Sequence, residues 1–220
     1  MKSCILYFVK YPEPGTVKTR LARGATPELA AEFYRTFAAD KLMELAETEE
    51  ADVLVCFAPE AKRREVAEWL PGFQLFAQKG DDLGGRMENA FRHAFRQGCD
   101  RAILVGSDVP GLTPELMRRG FESLTPESAA LGPAEDGGYY LIGFHREGFA
   151  PEPLRNMEWS RDDVFQRTKT RLLELGLRCK ELERLSDIDT PDDLVALVKG
   201  GVDGPLSGKS LELAKRLTET

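Results

Sequence analysis

Three groups of residues in this chain could do chemistry together. The first is a cationic loop. Residues 4–9 (Cys-Ile-Leu-Tyr-Phe-Val) read as a short apolar strand that runs into Lys10-Tyr-Pro-Glu-Pro-Gly-Thr-Val-Lys-Thr-Arg-Leu21. Pro12 and Pro14 stiffen that loop. Gly15, followed by Thr16, lets the backbone turn and come close to a ligand. Lys18 and Arg20 could then neutralise phosphate oxygens, the arginine in two-pronged fashion and the lysine as a point charge. The loop is not a Walker A loop, because Val17 precedes Lys18 where that pattern needs glycine. It is not a dinucleotide fingerprint either, because no G-x-G-x-x-G follows the strand.

The second group is Asp108, in Val105-Gly-Ser-Asp-Val-Pro-Gly111. It is the first charged group beyond an apolar strand. Mg²⁺ takes one or two carboxylates plus substrate phosphates, which makes Asp108 a candidate metal ligand, although an aspartate before proline also suits a turn. The third is Asp187-Ile-Asp189, ahead of Thr190-Pro-Asp-Asp. In an extended chain the two acids project to one side. If either converged on Asp108, the pair would repel by about 4 kcal/mol at about 4 Å and an effective dielectric of about 20. A divalent cation would remove that repulsion. Asp108 with Asp189 is therefore the favoured pair, with Asp187 the alternative. The same Thr-Pro-Asp-Asp run is also an ordinary helix start.

Two glycine-rich segments could border a ligand. In residues 133–143, Gly137-Gly138 is flanked by Asp136 and two tyrosines, which permits close backbone approach; Asp-Gly is also a strong hairpin signal. Residues 80–87 place Arg86 at a helix start, where backbone N–H groups can hold an anion or simply be capped. His93 and His145 share no motif with cysteine, serine or carboxylates, so no serine or cysteine nucleophile is indicated.

Elements that would position these residues alternate along the chain. Strands are predicted at 4–9, 52–58, 73–77, 101–105, 129–132 and 138–144, with a further short one at 179–185. Helices are predicted from Thr26-Pro27-Glu28, over 60–70 and 83–97, from Thr113-Pro114-Glu115, and over 161–175 and 192–199. Thr-Pro supplies an N-cap oxygen and a first helical residue. The order calls for an α/β fold, a single-domain, mostly parallel sheet covered by helices on both faces. Right-handed crossovers then gather the loops after the strands on one edge, where ligands bind. The domain is expected to span 1–199, with 200–220 a Gly-rich linker (200–208) and a short helix (210–220) able to dock through Leu211, Ala214 and Leu217.

The 220 residues carry 30 Lys and Arg against 37 Asp and Glu, a net charge of −7. An acidic whole with a local Lys18/Arg20/Arg23 cluster argues against nucleic acid and fits a small phosphorylated ligand. Four scattered cysteines without C-x-x-C spacing suggest a reducing cytoplasm and no zinc site. No signal peptide is expected ahead of the first strand, and no apolar run approaches the ~20 residues of a membrane helix.

Residues 8–22, the Gly-Ser-Asp-Val-Pro stretch, Glu-Asp-Gly-Gly-Tyr-Tyr-Leu-Ile-Gly and Asp-Ile-Asp-Thr-Pro-Asp-Asp-Leu occur in this order. On these stretches, over roughly residues 4–198, the chain resembles a bacterial family of uncharacterised transferases with the GT-A fold. Its members are described as glycosyltransferase-like or nucleotide-diphospho-sugar transferase proteins. More distantly it is similar to molybdenum-cofactor and phospholactate guanylyltransferases. The resemblance implies a nucleotide held through its phosphates by Gly15, Thr16, Lys18 and Arg20, with Arg86 nearby. It implies Mg²⁺ or Mn²⁺ on Asp108 and Asp189, with Lys18, Arg20 and Asp108 as the catalytic set. It places Asp136, Gly137, Gly138 and Trp159-Ser160 on the acceptor side. Asp108 lacks the D-x-D partner common in glycosyltransferases, since Val109-Pro110 follows it. The leading expectation is nucleotidyl transfer from an NTP to a small phosphorylated acceptor. Glycosyl transfer from a nucleotide-sugar is the alternative, and a non-catalytic nucleotide sensor a third.

Overall fold

A computed structural model describes residues 1–159, 161–200, 206 and 208–219. The first strand, β1 (Ser3–Lys10), is buried at every residue but its last. Such a strand must be covered on both faces, and it lies in the middle of a seven-stranded sheet. The others are β2 (Ala51–Ala58), β3 (Gln74–Ala77), β4 (Arg101–Val105), β5 (Ser128–Pro133), β6 (Tyr139–His145) and β7 (Arg178–Glu181). Their order is β3-β2-β1-β4-β6-β5-β7. Only β6 runs against its neighbours, pairing antiparallel with β4 and β5; the remaining pairings are parallel.

Alternate residues of β1 feed two cores. Ile5, Tyr7 and Val9 pack with Tyr34 and Ala38 of α1 (Pro27–Leu45), Trp69 of α2 (Arg63–Trp69) and Met117 and Phe121 of α4 (Pro114–Glu122). Cys4, Leu6 and Phe8 pack with Met87 and Phe91 of α3 (Leu83–Arg96) and with Phe165 and Leu172 of α5 (Val164–Glu174). A third core joins Leu21, Phe33 and Phe37 to Ile188, to Leu194 of α6 (Pro191–Val198) and to Leu213 and Leu217 of α7 (Gly208–Thr218). The last helix is thus docked against α1 and α6. Most of the expected linker lies outside the described residues, as does the final residue of the expected helix.

Thr26, Thr113 and Thr190 each accept a backbone N–H at a helix start with proline next to them, worth about 1 kcal/mol apiece. Three boundaries differ from expectation. The helix expected over 60–70 opens as a single 3₁₀ turn, and α2 starts at Arg63. The helix expected from 161 starts at Val164, and the strand expected to reach 185 ends at Glu181. No helix among the described residues is long and apolar enough to cross a membrane.

Topology concentrates polar groups at one edge. The parallel strands β1–β4 deliver Lys10, Ala58, Ala77 and Val105 to their carboxyl ends, and antiparallel β6 begins there with Tyr139 and Tyr140.

Candidate active site

Beyond Val105 the β4–β6 ladder continues for one more bond, from the Gly106 N–H to the Tyr140 carbonyl at 3.3 Å. The chain then turns through Ser107 and presents Asp108. The segment before α6 is tied alongside. Leu185 N–H donates to the Pro133 carbonyl at 3.1 Å, and Ile188 N–H to the Asp108 carbonyl at 2.9 Å. These bonds lay the residues around Asp187 between the end of β5 and the Asp108 turn. Asp108, Asp136 and Asp187 all line one cleft.

The cationic loop folds back onto the same place. Lys18 has a φ of +48°, a left-handed conformation that costs a side-chain-bearing residue about 1 kcal/mol or more. Its side chain is 5% exposed, and its Nζ lies 2.9 Å from Asp108 Oδ2. Burial works against the lysine charge. The Asp108 carboxylate, through its field and its hydrogen bond, outweighs that and lifts the ammonium above its ordinary range. Arg20 Nη1 lies 2.8 Å from Asp189 Oδ2, in a far more exposed pair. The cationic loop and the two acidic segments therefore meet at one rim, and the acids occupy both cations.

The expected preference for Asp189 over Asp187 beside Asp108 is reversed. Asp189 N–H donates to Asp193 Oδ2 at 3.0 Å, and Thr190 forms a capping box with the same carboxylate. The cap of α6, extended at Thr190, thus also holds the Asp189 backbone. Asp189 goes to Arg20, while Asp187 lines the cleft with Asp108. Burial first, and then the Asp108 charge, raise the Asp187 carboxyl to about 6, against the pull of Lys18.

Two clefts adjoin at Phe8, Gly106 and Asp108. The first, about 350 Å³, lies over the ends of β1 and β2 and carries Lys10, Arg86, Gln78, Tyr34 and Ser107. Lys10 Nζ donates to the Thr16 carbonyl at 2.7 Å, and its backbone N–H to Tyr34 Oη at 3.1 Å. Tyr34 Oη and Ser107 Oγ share a hydrogen bond of 2.7 Å. Burial raises the Tyr34 phenol, against the opposing effect of these hydrogen bonds, so it remains protonated. The Gln78 amide donates to the Val9 and Cys56 carbonyls at 3.2 and 2.8 Å.

Gly15 and Thr16 do not line either cleft. Gly15 takes a φ of +75°, and the Thr16 hydroxyl donates to the Glu13 carbonyl at 2.9 Å. Arg86 does face the first cleft, but the start of α3 is not open to an anion. The Asp82 carboxylate already accepts the Gly85 N–H there, at 2.7 Å.

The second cleft, about 250 Å³, holds the three aspartates beside Gly138, Tyr139 and Trp159. Its wall depends on Gly137. That residue has a φ of +87°, and a Cβ there would sit 1.9 Å from the Asp162 carbonyl oxygen, so only glycine fits. The turn closes with Gly138 N–H donating to Asp136 Oδ1 at 2.9 Å. Trp159 meets Tyr139 edge to face at 6.1 Å. Its indole nitrogen is buried without a hydrogen-bond partner among the described residues. Ser160, expected beside it, lies outside the described residues. A larger cavity, about 580 Å³, lies between α1 and α7 and contains none of these strand-end groups.

Lys10, Tyr34, Ser107 and Gln78 were not singled out by the sequence. Lys10 had a legible signal, since it is the last residue of a buried strand at the ligand edge. Gln78 had none beyond following β3.

Among the described residues no three of His, Cys, Asp and Glu cluster closely enough to enclose a metal ion. Two of the three carboxylates on the second cleft, those of Asp108 and Asp187, nevertheless suit a hard cation that keeps several waters, the habit of Mg²⁺, and do not suit the nitrogen and sulfur preference of zinc.

No curated protein matches this chain. A solved structure from Desulfovibrio desulfuricans G20, described as a candidate nucleotide-diphospho-sugar transferase, is 38% identical, with a TM-score of 0.92 over 100% of this chain and 98% of that one. A nucleotidyl transferase from Methanothermobacter is 16% identical, with a TM-score of 0.61 over 89% and 94%. A CMP:2-keto-3-deoxy-manno-octonic acid synthetase in complex with CTP is 13% identical, with a TM-score of 0.53 over 89% and 96%. The last two share the fold. The model of the family described as "Uncharacterized protein conserved in bacteria (DUF2064)" matches residues 41–161, more than half of the chain, and the chain belongs to that family.

Proposed function

We propose that this chain is a transferase that uses a nucleotide donor and acts at the edge where the two clefts meet. One observation carries the reading. A cleft with cationic groups and a cleft with carboxylates share Asp108 at the carboxyl ends of the strands, the place where open α/β sheets bind ligands. The name given to the 38% identical Desulfovibrio protein supports it.

In this reading Lys10 and Arg86 neutralise the donor phosphates in the first cleft, with Arg20 at the rim. Lys18 holds the Asp108 carboxylate in a fixed position rather than reaching for solvent. The Tyr34–Ser107 hydrogen bond braces the Asp108 turn against α1. Asp108 and Asp187 would hold a Mg²⁺ or Mn²⁺ ion, which supplies charge neutralisation at phosphate oxygens. The acceptor occupies the second cleft, against Asp136, Gly138 and Trp159. Such a site works by positioning and by fixed charge, and it requires no covalent intermediate on the protein.

Nucleotidyl transfer from an NTP is the first reaction to test. Glycosyl transfer from a nucleotide-sugar is the second, favoured by the name of the Desulfovibrio relative. The experiment is product analysis with a panel of NTPs and nucleotide-sugars. Pyrophosphate release supports the first, and nucleoside diphosphate release the second. Mg²⁺-dependent nucleotide binding without any product across a broad acceptor screen would overturn catalysis in favour of a sensor.

A further inference from the structure

Away from the clefts, at the amino ends of the strands, the fold brings two of the four cysteines together. Cys4 is the second residue of β1, and Cys99 lies in the turn between α3 and β4. Parallel pairing sets Cys4 opposite Ala102. Just before that pair, the Asp100 and Arg101 N–H groups both donate to the Lys2 carbonyl, at 2.7 and 3.2 Å. The chain leaving Cys99 therefore runs beside the chain entering Cys4. Both side chains are buried in the core beneath α3. Both thiols are free, and they hydrogen-bond to each other. Both residues line one small void of about 20 Å³, together with Lys2, Asp52 and His93.

A void of this size holds about one water-sized molecule. Cys4 and Cys99 keep a little exposed surface, 4% and 3%, where Cys56 has none. The surroundings set the two thiols apart. The hydrogen bond with Cys4, and then the Lys2 and Arg146 cations, pull the Cys99 thiol down against its burial. The same hydrogen bond, with burial, pushes the Cys4 thiol up. Both cations are fixed in place: Lys2 Nζ lies 3.0 Å from Asp52 Oδ2, and Arg146 Nε donates to the Cys99 carbonyl at 2.8 Å. The thiolate is the reactive form of a cysteine, and nearby cations favour it. Cys99 is the attacking sulfur of the pair, and Cys4 is the resolving sulfur beside it. Cys179 sits on β7, at the far edge of the sheet.

We propose that Cys4 and Cys99 form a modification site, a thiol pair that hydrogen peroxide converts into an intramolecular disulfide. The Cys99 thiolate attacks one peroxide oxygen. A sulfur–oxygen bond forms, the oxygen–oxygen bond breaks, and the departing hydroxide takes up the proton that Cys99 released, giving water. The Cys4 sulfur then gives up its proton and attacks the Cys99 sulfenic acid. The sulfur–sulfur bond forms, the sulfur–oxygen bond breaks, and the hydroxide leaves with the Cys4 proton as a second water. Both sulfurs are oxidised and the peroxide is reduced. The link joins the starts of β1 and β4, neighbouring strands at the centre of the sheet, and keeps Cys99 from oxidising irreversibly to the sulfinic acid. A dithiol reductant reverses it by exchange.

The test exposes the reduced full chain to hydrogen peroxide in native buffer. Remaining thiols are blocked with N-ethylmaleimide, and tryptic peptides are read by mass spectrometry. Peptides 3–10 and 97–101 carry Cys4 and Cys99. They should appear as one linked species, about 2 Da lighter than the two free peptides together, with Cys56 still alkylated. Dithiothreitol should restore both peptides. The parent chain answers the question without any variant, and two variants assign the roles. Cys4→Ser should leave Cys99 as a sulfenic acid that dimedone traps, with no link. Cys99→Ser should leave Cys4 unoxidised at the same dose. The exposed Met43 reports that the dose was sufficient. If Met43 is oxidised while Cys4 and Cys99 are still alkylated separately, the proposal is overturned. A link that forms only in urea, or a Cys99 joined to a different cysteine, overturns it as well.

Discussion

Replacing Asp187 by asparagine should stabilise the folded chain at alkaline pH and leave it unchanged in acid. Burial and the Asp108 charge raise the Asp187 carboxyl from an ordinary 3.8 to about 6. Its folded-state value thus lies above its unfolded one, so the folded chain keeps the proton more tightly. Below pH 3.8 both states hold the proton, and the residue costs nothing. As pH rises to about 6 the unfolded chain ionises first, and stability falls. Above about 6 the full penalty is present. At about 1.4 kcal/mol for each step of one in pKa, the upper bound is about 3 kcal/mol. Asp187 is partly exposed, and solvent screening reduces this to about 1–2 kcal/mol. Asparagine keeps the shape and carries no charge. For a chain of this size each kcal/mol moves Tm by about 2–4 °C, so Asp187→Asn should melt about 2–8 °C higher at pH 8 and within about 1 °C of the parent near pH 3.5. Thermal melts by circular dichroism, with a chelator present to remove divalent ions, measure this. An equal shift at both pH values, or a lower Tm at pH 8, would refute the charged-cleft reasoning. The same variant should lose activity, since sites that work through crowded charge trade stability for function.

Other expectations follow from the same geometry. Asp108→Asn leaves the nearly buried Lys18 ammonium without its partner and should destabilise the chain by about 2–4 kcal/mol, somewhat less than a fully buried pair because Asp108 is partly exposed; an unchanged urea midpoint would contradict the ion pair. Lys10→Ala and Arg86→Ala should each weaken binding of a nucleoside diphosphate by about tenfold or more, the worth of a charge-assisted hydrogen bond, while nucleoside affinity stays put. Equal losses for nucleoside and nucleotide in calorimetric titration would remove both residues from the phosphate site. Gly137→Ala must combine a left-handed backbone with a Cβ 1.9 Å from the Asp162 oxygen and should cost about 2 kcal/mol or more; a melt identical to the parent would contradict the turn geometry.

The fold was legible because local and global preferences agree. The apolar run of β1 required two covering layers, three Thr-Pro pairs marked helix starts, and Asp-Gly between two apolar runs marked the β5–β6 turn. The convergence of the Lys18 loop with the acidic segments was legible for the same reason, since strand order alone brings them to one edge. Finer features were not. The partner of Asp108 depends on how the α6 cap holds the Asp189 backbone, and the spacing of Asp187 and Asp189 reads the same either way. Lys18 read as a loop cation for phosphate, and only the tertiary fold buries its ammonium on Asp108. Lys10 was marked only by its place at the end of β1, and Gln78, just past β3, carried no signal before the sheet shows what it faces. The charge of the acceptor cleft comes from three segments far apart in sequence, and no local pattern announces it.

The central claim is that a nucleotide donor lies across the Lys10–Arg86 cleft with its phosphates toward Asp108. Crystals of the chain soaked with a nucleoside diphosphate and Mn²⁺ test it most directly, because anomalous scattering locates both the metal and the phosphates. The account requires manganese between Asp108 and Asp187 and phosphate density beside Lys10 and Arg86. Manganese held elsewhere, or phosphates docked in the aspartate-lined cleft beside Trp159, would contradict it.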